Sequence, residues 1–237
     1  QGGKIIMKDS QDRREFLRAT CTIAGTMVIA NFNSLRAGIP GSYSKQDEEK
    51  KVTLTEDLMR EHGVLRRVQL IYNEITMRLE KGKGYPTQAL QDSADIIHTF
   101  IENYHEKLEE DYLFPRFEKA GKMSDLVKVL RQQHQSGRKL TDLIKNRAGS
   151  KDRNTLVKAM ADFVRMYSPH AAREDTILFP EFHNIVSENE FDSLGEEFEK
   201  KEKQLFGEDG FEKMVSKVEG IEKTLGIYDL SQFTPKK

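Results

Sequence analysis

Between residues 53 and 225 the chain repeats apolar residues at the three-to-four-residue spacing of amphipathic helices. Breaks rich in Gly and Pro divide this part into segments with short connections. Runs that alternate apolar and polar residues, which would indicate strands, are scarce. The pattern therefore predicts an all-α chain. In the first segment the apolar positions are Leu58, Leu65, Val68, Ile71, Ile75 and Leu79.

Four of the predicted helices form the central part of the chain. Thr53, with Glu56 three residues later, is typical of a capped helix start. Because the connections are short, we expect the helices to run up, down, up and down in one bundle over residues 53–185. The predicted starts are Thr53, Pro86, Ser124 and Asp152, and the first three helices are predicted to end at Gly82, Gly121 and Gly149.

Residues 186–237 are predicted to form a C-terminal helical extension. Ser187 and Glu190 repeat the capping pattern and open a highly charged helix that ends at Gly207. A last helix is predicted over residues 208–225. The apolar residues of the two helices would pack either on the bundle or on a partner. They are Phe191, Leu194, Phe198, Leu205, Phe211, Met214, Val218 and Ile221.

The beginning of the chain has a different character. Residues 12–38 read DRREFLRATCTIAGTMVIANFNSLRAG, with Arg13 and Arg14 paired before Phe16 and Leu17. Residues 1–37 resemble a twin-arginine export signal, which implies transport across the bacterial cytoplasmic membrane to the periplasm. The alternative is an amphipathic helix with a chance arginine pair. Met7 is a candidate natural start, which would make residues 1–6 a remnant of the expressed sequence, and residues 38–52 read as a linker.

Composition narrows the range of functions. The 237 residues hold 38 Lys and Arg against 39 Asp and Glu, a net charge of -1, and show no basic stripe that would indicate nucleic-acid binding. Cys21 is the only cysteine, so a disulfide framework and a cysteine-based metal site are excluded. No run reaches the roughly 18 consecutive apolar residues of a membrane-spanning helix.

One eleven-residue phrase occurs twice, as HEKLEEDYLFP from His105 and as HAAREDTILFP from His170. Each copy has a histidine, a glutamate four residues later, and then Leu-Phe-Pro. The first and third predicted helices instead carry a histidine followed four residues later by an arginine. The chain therefore reads as two helix pairs of one design. The paired residues are His62 and Arg66, His105 and Glu109, His134 and Arg138, and His170 and Glu174.

These four histidines and two glutamates fall at one level of the predicted bundle. Residues four apart share a helix face, and a rise of about 1.5 Å per residue places the histidines within about 8 Å of one level. Burying them without a partner is costly, and a metal ion offsets that cost. Imidazole with carboxylate suits iron, manganese or zinc. Each glutamate could bridge two ions that have two histidines each and open positions. The alternative is surface histidines with chance glutamates.

At these residues, over 53–183, the chain resembles the hemerythrin-like family, also called the HHE cation-binding domain. The resemblance implies a four-helix bundle that holds a non-haem di-iron site. In that family two carboxylates, and usually an oxo or hydroxo group, bridge the irons. The metal ligands that the resemblance implies are His62, His105, Glu109, His134, His170 and Glu174.

The chain departs from the oxygen-carrying hemerythrins at two positions. Arg138 stands where they have a further histidine, and Glu174 lies one residue before the place of their last carboxylate, which here is Asp175. The set resembles the branch with four histidines and two glutamates, which includes iron-centre repair proteins and proteins that respond to nitric oxide or redox state. This departure argues against simple reversible oxygen carriage.

The resemblance therefore predicts a protein that binds O2, NO or peroxide at two irons. It would reduce NO or peroxide with electrons from a donor protein, or act in redox or nitrosative stress. Two alternatives remain open. The first is a protein that holds or donates iron, and the second is a metal-dependent interaction module whose C-terminal helices dock a partner.

Several neighbouring residues have more than one interpretation. Glu106 and Asp175 are candidate additional ligands. Arg66 and Arg138 would contact the bridging carboxylates, control the access of an anion, or form outward salt bridges. Glu61 is predicted to be a solvated neighbour of the first histidine. Four tyrosines would pack in the core or relay electrons, namely Tyr72, Tyr104, Tyr112 and Tyr167.

The remaining predictions concern the end of the bundle and two further histidines. Pro115 and Pro180 are predicted to bend or end their helices. The phenylalanines that precede them, Phe114 and Phe179, are predicted to seal the bundle end. His98 is predicted to be a core histidine near the site, and His183 a surface histidine.

Overall fold

The computed structural model describes residues 52–235, which form six helices and no strand. The predicted all-α bundle is confirmed. The signal and linker predictions for residues 1–51 lie outside the described residues. The helices are α1 (Leu54–Glu80), α2 (87–120), α3 (Ser124–Arg147), α4 (153–185), α5 (Glu188–Phe206) and α6 (Gly210–Leu225), and a short 3-10 turn follows at Leu230–Phe233.

Helices α1 to α4 pack in a ring, each against the next, with α4 closing on α1. The space between them is filled by apolar side chains, and Tyr72 of α1 meets Phe163 of α4 edge to face at 5.2 Å between ring centroids. The apolar positions predicted for α1 are all buried, at Leu58, Leu65, Val68, Ile71, Ile75 and Leu79.

The helix starts follow local capping chemistry. The hydroxyl of Thr53 accepts a hydrogen bond from the amide of Glu56 at 3.3 Å, as the capping pattern predicts. The Asp152 carboxylate caps α4 in the same way through the amide of Thr155 at 3.2 Å. Helix α3 begins at Ser124, which is the predicted start. Ser124 does not cap the helix as Thr53 caps α1, because Met123, at a φ of 50°, takes the cap position and makes no side-chain bond.

Helices α2 and α4 each contain a wide π-helical turn just before a proline. The turns are Glu109–Leu113 and Glu174–Leu178, and in each the amide of the following phenylalanine donates to the carbonyl of the glutamate. Pro115 and Pro180 were predicted to bend or end their helices, yet α2 and α4 continue to residues 120 and 185. Proline cannot donate the usual bond and clashes with the turn before it, and the wider turn accommodates both defects.

Helices α5 and α6 pack on the bundle. Phe206 of α5 contacts Phe100 and Tyr104 of α2, each at 5.5 Å between centroids. The guanidinium of Arg67 on α1 donates to the Glu222 carboxylate of α6 at 3.0 Å. None of the helices within residues 52–235 combines the length and apolar content needed to cross a membrane.

Candidate metal centre

The structure brings the six predicted site residues together in the middle of the bundle, one set from each helix. Each of these side chains is almost completely shielded from solvent, with 4% or less of the residue exposed. Helix α1 supplies one histidine, α2 a histidine and a glutamate, α3 one histidine, and α4 a histidine and a glutamate. The residues are His62, His105, Glu109, His134, His170 and Glu174.

The four imidazoles meet in two pairs through their Nε2 atoms. The Nε2 atoms of His62 and His105 lie 3.0 Å apart, and those of His134 and His170 lie 3.3 Å apart. Each pair joins the two helices of one helix pair. Two ring nitrogens at this separation need a proton or a cation between them, so each pair is a candidate position for one ion.

The two glutamates lie between the histidine pairs. Glu109 places Oε1 3.7 Å from Nε2 of His105 and Oε2 3.4 Å from Nε2 of His134. The Oε2 atom of Glu174 lies 3.4 Å from Nε2 of His62 and 3.1 Å from Nε2 of His170. Each carboxylate therefore contacts both pairs, which is the arrangement that a bridge between two ions requires.

Within residues 52–235, the four oxygen atoms of these two glutamates are buried and none has a hydrogen-bond partner. Buried polar groups in folded proteins are nearly always satisfied, and an unsatisfied carboxylate is costly. The donor set, four imidazole nitrogens and two carboxylates, suits a transition-metal cation. The residues present thus fit a resident metal.

Burial shifts the pKa values of two of these groups toward their neutral forms. It raises the pKa of Glu109 well above its usual range, and the neighbouring charge of Glu174 raises it further. Burial also lowers the pKa of the His105 imidazole well below its usual value, with the charge of His62 acting in the same direction. A bound cation reverses the preference of the carboxylate, because metal ligands bind in their deprotonated forms.

The second nitrogen of each imidazole is held by a hydrogen bond to an oxygen acceptor. With the proton on Nδ1, each ring donates outward and leaves the Nε2 lone pair facing the site. The bonds run from His62 to Asp175 at 2.6 Å, from His105 to Glu61 at 2.7 Å, from His134 to Glu110 at 3.1 Å, and from His170 to Gln133 at 2.9 Å.

These four acceptors follow a two-fold pattern, in which the α1–α2 pair and the α3–α4 pair place equivalent residues at equivalent positions. Glu61 directly precedes the histidine of α1 and accepts from the histidine of α2. In the same way, Gln133 directly precedes the histidine of α3 and accepts from the histidine of α4. Glu110 directly follows the glutamate of α2 and accepts from the histidine of α3. Asp175 directly follows the glutamate of α4 and accepts from the histidine of α1. The prediction that Glu61 is solvated was wrong, since it is 1% exposed. Asp175 was a candidate ligand and instead contacts the outward nitrogen.

The two arginines of the repeated design pair with the acids that hold histidines. Arg66 donates to Asp175, and Arg138 donates to Glu110 at 2.6 Å and to Glu106 at 2.9 Å. These contacts match the salt-bridge interpretation of the two arginines. The arginines fix the acids, and the acids fix the imidazoles.

The phenylalanine of each repeated phrase covers a histidine of the other helix pair. Phe179 of α4 stacks on His62 at 5.6 Å between centroids, and Phe114 of α2 stacks on His134 at 5.5 Å. Both phenylalanines are completely buried. They were predicted to seal the end of the bundle, and the structure places them beside the site, where they shield two of the imidazoles from bulk water.

Glu106 has no counterpart in the second helix pair. The Glu106 carboxylate accepts from the hydroxyl of Tyr167 at 2.6 Å and lies 4.0 Å from Nδ1 of His134. The equivalent position in the second phrase is Ala171. Tyr167 lies against the backbone of α3, because a Cβ atom at Gly137 would come 1.8 Å from its hydroxyl oxygen. Glu106 therefore contacts residues around the site, with Arg138 and Tyr167 as its partners.

Among the other tyrosines and histidines, two tyrosines are buried in the core and two histidines are exposed to solvent. Tyr72 and Tyr104 are buried in the core, and burial together with the charge of Glu61 raises the pKa of the Tyr104 hydroxyl. His98 was predicted to lie in the core, yet its side chain is 43% exposed and pairs with a glutamate on its own helix. His183 is exposed, as predicted, and stacks on a phenylalanine of α5.

Comparison with known proteins gives one family and a few relatives. The Hemerythrin HHE cation binding domain model matches residues 53–182. An uncharacterized protein of Mycobacterium bovis is 47% identical over 249 aligned residues, which cover 98% of this chain and 96% of the relative. Uncharacterized proteins from two strains of Mycobacterium tuberculosis match with the same identity and coverage. No solved structure matches the chain.

Proposed function

The chain belongs to the Hemerythrin HHE cation-binding domain family, and we propose that its site holds two iron ions and binds O2, NO or peroxide. The observation that carries this proposal is the set of four buried carboxylate oxygens without hydrogen-bond partners among the described residues, which lie between four Nε2 atoms. The proposed ligands are His62, His105, Glu109, His134, His170 and Glu174.

One histidine pair would hold each ion, and the two glutamates would be available to both ions. The contacts of Glu109 with His105 and His134 support sharing, since one oxygen faces each pair. Two imidazoles and two shared carboxylates leave positions open on an ion of the usual coordination number. Open positions are what a small exogenous ligand requires.

The iron pair supplies Lewis acidity and electrons when it is bound. The chain supplies orientation and exclusion of water. One acceptor fixes the tilt of each imidazole, so that its Nε2 points inward. The acceptors are Asp175, Glu61, Glu110 and Gln133. The near-complete burial of the site favours a ligand as small as O2, NO or peroxide. Reduction of NO or peroxide would in addition need an electron donor.

Metal analysis of the purified full chain tests the site. We expect two irons per chain in the wild type. The double variant His105→Ala, His170→Ala removes one imidazole from each pair and is expected to lose nearly all iron. The double variant His98→Ala, His183→Ala is the matched control, because both side chains are exposed and neither faces the site. Unchanged iron in the first variant would exclude the site.

Absorption spectroscopy tests the ligand. The iron-loaded chain is expected to change its near-ultraviolet bands on addition of O2, NO or peroxide, and the His105→Ala, His170→Ala variant is expected to show no change. A labile iron content with no spectral response to any of the three would contradict ligand binding and favour iron storage or donation.

We also propose that the chain is exported by the twin-arginine route. The support is the sequence of residues 12–17, DRREFL, and the uncharged run from Ala19 to Ala30. Changing Arg13 and Arg14 together to lysine is expected to leave the protein in the cytoplasmic fraction of a bacterial host, whereas the wild type reaches the periplasmic fraction. Equal distribution of the two forms would contradict export by this route.

A further inference from the structure

We propose that Glu61 and Gln133 make the two metal positions unequal, so that the His62–His105 position takes its ion first and binds it more tightly. The inference rests on the proposed two-ion site. It assigns these two residues a positioning role, since each acts on an ion through a histidine. Glu61 lies on α1 and Gln133 on α3, so neither residue belongs to the two repeated phrases.

Glu61 is a fixed, charged acceptor for His105. Its Oε2 lies 2.7 Å from Nδ1 of the imidazole, and its side chain is 2% exposed. A buried carboxylate at this distance forms a strong, charge-assisted bond with the ring N–H.

Gln133 has the same place relative to the other pair but carries no charge. Its Oε1 lies 2.9 Å from Nδ1 of His170, and the side chain is half-buried. An amide oxygen accepts the same proton through a weaker, neutral hydrogen bond. The two residues therefore make equivalent contacts with their histidines, but Glu61 is charged and Gln133 is neutral.

A stronger acceptor on the outward nitrogen makes the inward nitrogen a better metal ligand. Polarisation of the Nδ1–H bond raises electron density on Nε2, and loss of such a partner typically lowers metal affinity by about 10–100-fold. Since His105 has the carboxylate partner and His170 the amide, the ion bound by His62 and His105 is expected to be the tighter one.

The acceptors of the other two histidines are alike in charge. His62 and His134 both donate to carboxylates, and each of those carboxylates also pairs with an arginine. Glu106 adds a negative charge near His134, but at 4.0 Å it forms no hydrogen bond to the imidazole, and Arg138 and Tyr167 occupy its oxygens. The acceptor of the α2 or α4 histidine is what differs.

Unequal positions would give the chain a state with one ion. At metal concentrations between the two dissociation constants, the His62–His105 position is filled and the His134–His170 position is empty. The number of ions, and hence any reaction that needs both, then depends on metal supply. The ion that is lost first lies on the side of Glu106 and Tyr167.

Titration of the metal-free full chain with Co²⁺, in competition with a chelator of known affinity, tests the inference. The wild type is expected to bind two ions in two steps that differ by about 10–100-fold in affinity. Binding of fewer than two ions would contradict the proposed function itself. Two ions of equal affinity would leave the proposed function standing and overturn this inference.

Two variants then assign the steps. Gln133→Glu gives His170 a carboxylate partner and is expected to tighten the weaker step by about 10-fold or more, while the tighter step stays unchanged. Glu61→Gln gives His105 an amide and is expected to weaken the tighter step by a similar factor. A gain in affinity from Gln133→Glu separates this role from a merely structural one, since damage to the fold would not tighten binding.

Matched controls are available on the same helices. Gln132→Glu adds the same charge at an exposed neighbouring position, and Glu80→Gln removes a charge at the exposed end of α1. Both are expected to leave the two steps as in the wild type. The inference is overturned if Gln133→Glu leaves the weaker step unchanged, or if Glu61→Gln weakens the second step instead of the first.

Discussion

At the scale of single residues, the metal site conflicts with the stability of the fold. Glu109 and Glu174 lie completely buried between imidazoles, and within the described part of the chain their oxygens have no hydrogen-bond donor. Such groups destabilise a folded chain unless an ion satisfies them. Their presence in the core is understandable only if the metal-bound form is the working form.

The variant Glu109→Gln tests this conflict. Without metal it is expected to be more stable than the metal-free wild type by about 1–3 kcal/mol, because it removes one of two close buried carboxylates. With metal the order is expected to reverse, since the amide is a poorer ligand. Urea unfolding with and without metal measures both differences.

Glu80→Gln is the control, because it makes the same chemical change at an exposed position of α1. It is expected to change stability by less than about 0.5 kcal/mol in either condition. A metal-free Glu109→Gln chain that is less stable than the wild type would show that the carboxylate contributes to the fold on its own.

The candidate ligands could be predicted from the sequence, but the residues that hold them in place were not predicted in that role. A histidine and a glutamate four residues apart share a helix face, so the pattern of His105 and Glu109 is visible in one dimension. Glu61 reaches an imidazole on another helix, and no spacing along α1 reveals this contact. A signal was nevertheless present, because Glu61 and Gln133 both stand directly before a histidine in the repeated design.

At the scale of helices, the π-helical turn before each proline begins at one of the two glutamates of the site. The turns Glu109–Leu113 and Glu174–Leu178 place an extra residue between the glutamate and the Leu-Phe-Pro sequence. This extra residue rotates the following phenylalanine relative to an ideal helix, and the ring then stacks on a histidine. Capping residues predicted most helix starts, but proline alone does not distinguish a bend from a π-helical turn.

The close approach of α3 and α4 at Gly137 gives a prediction at this scale. Gly137→Ala would place a Cβ atom 1.8 Å from the Tyr167 hydroxyl oxygen, so the tyrosine must move and its bond to Glu106 must break. We expect a loss of about 1–3 kcal/mol in the free energy of unfolding, measured by urea denaturation.

Gly220→Ala on α6 is the matched comparison, since a Cβ atom there meets nothing within 4 Å. Alanine favours the helix over glycine, so this variant is expected to gain about 0.5–1 kcal/mol. If both variants gained stability, the fit of Tyr167 against α3 would not be tight.

At the scale of the whole molecule, the bundle and the C-terminal helices form one packed unit. Phe198 of α5 is 4% exposed and meets Tyr112 of α2 edge to face at 5.3 Å. The ligands all come from α1 to α4, whereas this packing covers the outside of α1 and α2. Stability and metal binding should therefore respond separately to changes in α5.

Phe198→Ala is expected to lower the free energy of unfolding by about 3–5 kcal/mol through the cavity it leaves. The iron content of the folded variant is expected to equal that of the wild type. Phe233→Ala, at a residue 53% exposed, serves as the control and should change stability by less than about 0.5 kcal/mol. Loss of iron from folded Phe198→Ala would show that α5 helps to shape the site.

The two helix pairs do not act independently of each other, because each supplies contacts to a histidine of the other. His62 of the first helix pair depends on Asp175 and Phe179 of the second, and His134 of the second depends on Glu110 and Phe114 of the first. A substitution at one of these four residues in either helix pair therefore removes a contact from a histidine of the other pair.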